Sequence, residues 1–203
     1  MIQGLVVDEA NHAYSWEGRR LPSVTQVLRV LDDFGDVPKD VLDFAAFRGT
    51  AVHEATALAD RDDLDEESLD PELAGYVAAW RRFREESGFE PLLVEHRVVN
   101  LQLGYAGTVD RVGQLGGRMA LLDIKSGSRV PRSAGPQLAG YWEALTWMVE
   151  HGYLERSLRL HYRDRYVVHL RPEGRYSLVP MRDPRDRSIF AAALDIWNWK
   201  EAM

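Results

Sequence analysis

The 203-residue chain contains no cysteine. That excludes a disulfide framework and makes a reducing compartment the natural expectation. No apolar run approaches the ~20 residues that a membrane-spanning helix needs. Met1-Ile2-Gln3-Gly4 offers neither a basic segment nor a following apolar core, so no secretory signal is expected and a cytoplasmic location follows. Positive charge is scarce: 25 Lys and Arg against 32 Asp and Glu give a net charge of -7. This balance excludes a uniformly basic surface, although net charge governs solubility and nonspecific attraction, not what one cleft can do. Low-complexity tracts and internal repeats are absent too. The remaining composition, 45% hydrophobic and 10% aromatic, is that of a globular domain long enough to bury a core.

What is present concentrates between Tyr105 and Gly127. Two β-rich runs, Tyr105–Val112 and Arg118–Lys125, flank Gly113-Gln114-Leu115-Gly116-Gly117 and predict a hairpin. A turn centred between Leu115 and Gly116 sets Thr108 opposite Asp123, and Asp110 opposite Leu121. Side chains alternate along a strand, so Asp110, Asp123 and Lys125 then share a face. The carboxylates become a diagonal cross-strand pair, roughly 7–8 Å apart at the backbone. One divalent cation can take an oxygen from each; without it, two like charges on a half-buried sheet repel. Asp123 also interrupts the apolar run Leu121, Leu122, Ile124, which is costly for an acid with no partner. Lys125, two residues on, could orient the water of a metal-assisted hydrolysis and neutralise charge on an attacked phosphate; the alternative, which an isolated D-x-K would favour, is an ordinary solvated hairpin with scattered charges.

The rest of the chain reads as support. Leu5–Val7 and Ala13–Trp16 predict an opening hairpin around Asp8–His12, within a segment 1–20. Ser23 and Gln26 form a capping box ahead of Val24, Val27, Leu28 and Leu31, and Asp32–Pro38 reads as a loop. A helical pattern runs from Lys39 through Phe47 to Leu58 and contains Gly49, which suggests close approach of another element or a ligand. His53 lies one turn beyond Gly49 on the same side; its residue type fits a packed core histidine or a metal ligand. The charge run Asp60–Asp70 predicts a solvated loop. Glu72–Glu86 is an amphipathic helix ended by Gly88, with Arg81, Arg82 and Arg84 able to touch phosphate or dress its outer face. Pro91–Val99 predicts a strand containing Glu95, and Ser128–Pro136 a loop carrying Arg129 and Arg132. A helix from about Pro136 to Glu150 stacks Gln137 and Tyr141 on one side. Leu158–Leu170 and Arg175–Met181 predict two further strands, and 184–203 a helix packed over the opening elements, its tryptophan-rich end a possible oligomer contact.

Five pieces in order, Gly49-Thr50-Ala51-Val52-His53, Glu95, Gly107-Thr108-Val109-Asp110, Asp123-Ile124-Lys125 and Gln137-Leu138-Ala139-Gly140-Tyr141, resemble the RecB-like, phage-type exonuclease branch of the PD-(D/E)XK nuclease superfamily. The resemblance spans about residues 20–180. Each motif is weak alone; the ordered set is specific. Val109 stands where many members have proline, and the lack of cysteine excludes the iron–sulfur cluster that some relatives carry.

The resemblance implies an α/β fold with a restriction-endonuclease-like core, a mixed central β-sheet flanked by α-helices, in one nuclease domain over 1–203. It implies that His53, Asp110, Asp123, Glu95 and the Ile124 carbonyl hold one or two Mg²⁺ or Mn²⁺ ions. Asp110, Asp123, Lys125, Gln137 and Tyr141 are the implied catalytic set, with Arg48, Arg129 and Arg132 contacting DNA. The expected activity is a metal-dependent DNA exonuclease of recombination, repair or phage DNA processing, with a homo-oligomer or recombination partner possible. An endonuclease with the same metal core, or a non-catalytic nucleic-acid-binding or assembly module, are the alternatives.

Overall fold

The computed structural model describes residues 4–8, 13–31 and 38–202, and its described strands fall into two sheets. The smaller is an antiparallel meander of β1 (Leu5–Asp8), β2 (Ala13–Trp16) and β3 (Arg19–Leu21). Most of the expected loops at Asp8–His12 and Asp32–Pro38 lies outside the described residues. β3 was not anticipated. Ser23 then caps α1 (Val24–Leu28): its side chain accepts from the Gln26 amide, and the Gln26 side chain accepts from the Ser23 amide, as the capping box predicts.

The larger sheet has the order β4 (Glu90–Asn100), β5 (Tyr105–Leu115), β6 (Arg118–Lys125), β7 (Arg165–Leu170) and β8 (Tyr176–Pro180). β6 and β7 pair in parallel and the other neighbours antiparallel, so the sheet is mixed. Its central strands are buried on both faces, and successive residues divide between two cores. Leu121 and Val167 pack with α1, α4 (Ala134–Glu150) and α5 (Asp186–Glu201). Leu122, Ile124, Val168 and Leu170 pack with Val52 of α2 (Lys39–Asp60) and with Tyr76, Trp80 and Phe83 of α3 (Pro71–Ser87). The expected restriction-endonuclease-like layering, helices on both faces of a mixed sheet, is what the chain forms.

Four expectations need correction. The hairpin turns at Gly116 and Gly117, both at positive φ (56° and 76°), with Leu115 opposite Arg118 and Arg111 opposite Leu122. The register is therefore two residues from the expected one, which preserves the faces but sets Asp110 one step beyond the last pair, level with Asp123. β7 begins at Arg165, not Leu158; residues 156–158 form a 3₁₀ turn instead. Asp60 is not solvated: it ends α2 with a fully buried side chain held by Arg111, Arg84 and Trp80. Gly49 faces open space: among the described residues no atom of another element lies within 4 Å of where a Cβ would stand, which removes the packing half of that expectation. The first half of α2 leaves Val41, Phe44 and Phe47 exposed, whereas Val52, Ala55 and Ala59 are buried.

Candidate metal centre

Three strands disengage at one point. The β4–β5 register is in step on either side of Glu95, with Val94 opposite Arg111 and His96 opposite Val109. Glu95 itself adopts φ +48°, a left-handed conformation that costs a non-glycine residue of order 1–3 kcal/mol. The β5–β6 ladder ends at the same level, after Arg111–Leu122. Into this gap α2 delivers His53. Its Nδ1 stands 3.5 Å from Glu95 Oε1 and 3.5 Å from Asp110 Oδ1. The ligating atoms of His53, Glu95 and Asp110 all lie within 4.8 Å of one another.

The Ile124 peptide joins this cluster to a second group. Its N–H donates to Asp110 Oδ2 at 2.6 Å, and its carbonyl lies 3.0 Å from His53 Nε2. On either side of it in β6, alternation turns Asp123 and Lys125 toward α4. Lys125 Nζ donates to Asp123 Oδ1 at 2.8 Å and to Gln137 Oε1 at 3.2 Å. Tyr141, one helical turn after Gln137, is buried against Gly107, where a Cβ would lie 2.7 Å from its Cε1. Asp123 is 1% exposed, and its Oδ2 finds no hydrogen-bond donor among the described residues. A buried carboxylate oxygen left without a partner is costly.

The electrostatics follow from crowding four charged groups out of water. Burial pushes the Asp123 carboxyl up to about 6, Asp110 adding to the shift and the Lys125 ammonium opposing it. Burial likewise raises Asp110, against the pull of His53. For His53, burial disfavours the cation, but the carboxylates of Asp110 and Glu95 outweigh it and lift the pKa to about 9. Lys125 is raised in the same way: burial opposes its charge, and Asp123 and Asp110 overcome that. Burial is the main cause for both aspartates, and their carboxylates in turn favour the cationic forms of His53 and Lys125, so charge in this site is held by a few mutually dependent groups.

The structure thus gathers His53, Glu95, Asp110, Asp123, Ile124, Lys125, Gln137 and Tyr141 around one peptide. Asp123 stands outside the tight His53–Glu95–Asp110 cluster and is tied to Lys125 instead. Arg129 and Arg132 are exposed on the segment after β6, whose start is held by His169 Nε2 of β7 (2.8 Å from the Gly127 carbonyl) and by Arg171 just beyond that strand (3.0 Å to the Ser128 carbonyl). Arg48 lies on α2 over the Phe44 ring, 5.8 Å from its centroid, and its Nε has no hydrogen-bond partner among the described residues. Arg81, Arg82 and Arg84 are engaged by Glu66, Glu86 and Asp60, leaving them dressing α3 and not a bare basic face. Sequence reasoning passed over Arg111, Thr56 and Asp60, which lie beneath the cluster. The available signal was an arginine set between Val109, Val112 and other strand-forming residues of a central strand.

A family model of the PD-(D/E)XK nuclease superfamily matches residues 24–165, which contain every residue of this cluster. No curated protein matches the chain.

Proposed function

The chain belongs to the PD-(D/E)XK nuclease superfamily, and we propose that it is a divalent-metal-dependent DNA exonuclease of the RecB-like, phage-type branch, acting in recombination, repair or phage DNA processing. The observation that carries this reading is the orphaned Oδ2 of Asp123, buried beside a lysine that Gln137 helps to hold. That oxygen, one imidazole and the carboxylates of Glu95 and Asp110 suit a hard cation. His53, Glu95, Asp110 and Asp123, with the Ile124 carbonyl, would hold one or two Mg²⁺ or Mn²⁺ ions. Oxygen ligands favour Mg²⁺, and the imidazole leaves room for Mn²⁺. When bound, such an ion lowers the pKa of water and stabilises charge building on the phosphate.

The chain's own groups supply the rest. Lys125 is kept protonated by its carboxylate neighbours, so it does not abstract a proton. It orients the attacking water and offsets charge on the phosphate oxygens. Asp123 Oδ1 and Gln137 Oε1 fix the ammonium from two sides, and Tyr141 packs behind Gln137 on α4. Arg129 and Arg132, with Arg48 further along α2, contact the DNA backbone. Residues 1–203 act as one nuclease domain, and exposed Trp199 on α5 offers a contact for a homo-oligomer or a recombination partner.

Purified wild-type, Asp123→Ala and Lys125→Ala proteins incubated with labelled linear and covalently closed circular DNA, with Mg²⁺ or Mn²⁺, test this. Wild-type protein should degrade the linear substrate and leave the circle intact. Each variant should lose about a hundredfold or more in rate. Undiminished cleavage by both variants overturns the nuclease site; cleavage of the circle moves the assignment to an endonuclease.

A further inference from the structure

Beneath the cluster lies a guanidinium that water cannot reach. Arg111 is 0% exposed, so it cannot touch DNA. Its donors nonetheless all point toward the centre or its anchor. Nη1 donates to Glu95 Oε1 at 2.8 Å and to the Asp110 carbonyl at 2.6 Å. Nη2 donates to Thr56 Oγ1 at 3.1 Å, and that hydroxyl donates in turn to the His53 carbonyl at 3.0 Å. One side chain therefore reaches all three members of the His53–Glu95–Asp110 cluster, one through its carboxylate and two through backbone carbonyls. On the other side, Nε donates to Asp60 Oδ2 at 2.5 Å. Asp60 is itself fixed by Trp80 Nε1 and Arg84 Nη1, each at 2.9 Å, and the Trp80 ring lies 5.3 Å from the guanidinium.

Stability alone does not account for this arrangement. A buried ion pair is often matched or bettered by apolar residues of the same size, because desolvation consumes the Coulomb gain. What the pair provides is direction. A planar fork held on three edges fixes the angle at which its partners leave it, which a flexible ammonium does not. Glu95 needs such a hold, since its backbone sits in the left-handed region and its side chain is only partly buried.

We propose that Arg111, anchored by Asp60 and acting through Glu95 and Thr56, is the positioning residue that presets the ligand geometry of the metal centre. The inference rests on the metal-dependent reading of that site and adds to it a buried keystone outside the ligand set. Groups of this kind, behind the ligands, commonly govern affinity by about 10- to 100-fold.

The test uses Arg111→Lys and Thr56→Val, each alone and combined with Glu95→Gln. Mn²⁺ titration calorimetry, steady-state digestion of linear DNA and melting of the metal-free protein supply the readouts. Arg111→Lys should weaken Mn²⁺ binding by about 10- to 100-fold and lower kcat, with KM for DNA and its salt dependence unchanged. Thr56→Val, nearly isosteric, should fold normally and show a smaller loss of the same kind, so it carries the test should Arg111→Lys fail to fold. Glu95→Gln should weaken Mn²⁺ binding in the wild-type background and add little once Arg111 is lysine, because the two act as one unit. Wild-type Mn²⁺ affinity in both Arg111→Lys and Thr56→Val, or losses that add fully with Glu95→Gln, overturn the inference alone. A wild-type protein that binds no Mn²⁺ overturns the metal centre, and the inference falls with it.

Discussion

His53 is the residue whose charge the site cannot leave undecided. As a metal ligand it must be neutral, yet without metal its pKa stands at about 9 against the usual 6.5, burial being outweighed by Asp110 and Glu95. In the metal-free protein this raised value means that the stabilisation from the His53–carboxylate contacts is fully present below 6.5 and is lost as pH rises through about 9. Asp123, raised to about 6, follows the same sign: its protonated form favours the folded state, and that contribution fades as pH rises through 6. On the proposed reading a bound cation would reverse both costs, replacing the proton on His53 and pairing with ionised Asp123. Mn²⁺ affinity should therefore increase by about tenfold per pH unit between 6.5 and 9 and level off above, with one proton released per ion in that window. Calorimetry in buffers of different ionisation enthalpy checks this, and a flat profile would show that His53 binds no metal. The histidine could be singled out from sequence only by its resemblance to known motifs, since a lone imidazole beside apolar residues looks the same whether it packs or ligates.

At the scale of elements, the site depends on how closely α4 can lie on β5. Gly107 sets that distance: a Cβ there would stand 2.7 Å from Tyr141 Cε1 and 3.5 Å from Val24 Cγ2. Gly107→Ala should destabilise the protein by about 1–3 kcal/mol in urea denaturation, as overpacking does, and reduce kcat by displacing α4 and with it Gln137. In a Tyr141→Leu background the same change should cost less, because the clashing ring is gone; an equal cost in both backgrounds would place the strain elsewhere. The elements with local rules were legible in the sequence. The Ser23–Gln26 capping box, the left-handed Gly88 that ends α3 and the glycine hairpin all follow from side-chain chemistry within a few residues. Register was less so, because three glycines in five residues offer several turn centres, and only the pair Gly116-Gly117 closes this one. An error of two residues left Asp110, Asp123 and Lys125 on the expected face. The Asp60–Arg111 pair was not legible at all. Its partners are 51 residues apart in sequence, and Asp60 adjoins a truly solvated acidic run that hides its burial.

Across the whole molecule, the shortage of positive charge becomes a statement about how DNA is held. Many of the described arginines are engaged within the protein: Arg81 by Glu66, Arg82 by Glu86, Arg165 by Asp186, Arg185 by Asp183 and Arg187 by Glu143. With a net charge of -7, long-range repulsion opposes association with DNA, and on the proposed reading binding relies on a few cations near the site. Arg129 and Arg132 are exposed on the segment that follows Lys125 and is pinned by His169 and Arg171. Each phosphate neutralised contributes about -0.9 to the slope of log affinity against log salt on duplex DNA. Two or three such contacts predict a slope of about -2 to -3, shallow for a DNA enzyme. Arg129→Ala and Arg132→Ala should each flatten it by about 1 and raise KM while leaving kcat and Mn²⁺ affinity near wild type. Fluorescence anisotropy with the divalent metal chelated, at several salt concentrations, gives the slope without digestion. A slope steeper than about -6 would require a basic surface among residues other than these. An unchanged slope in both arginine variants would move the DNA path away from that segment, toward Arg48 and the exposed Phe44 and Phe47 of α2.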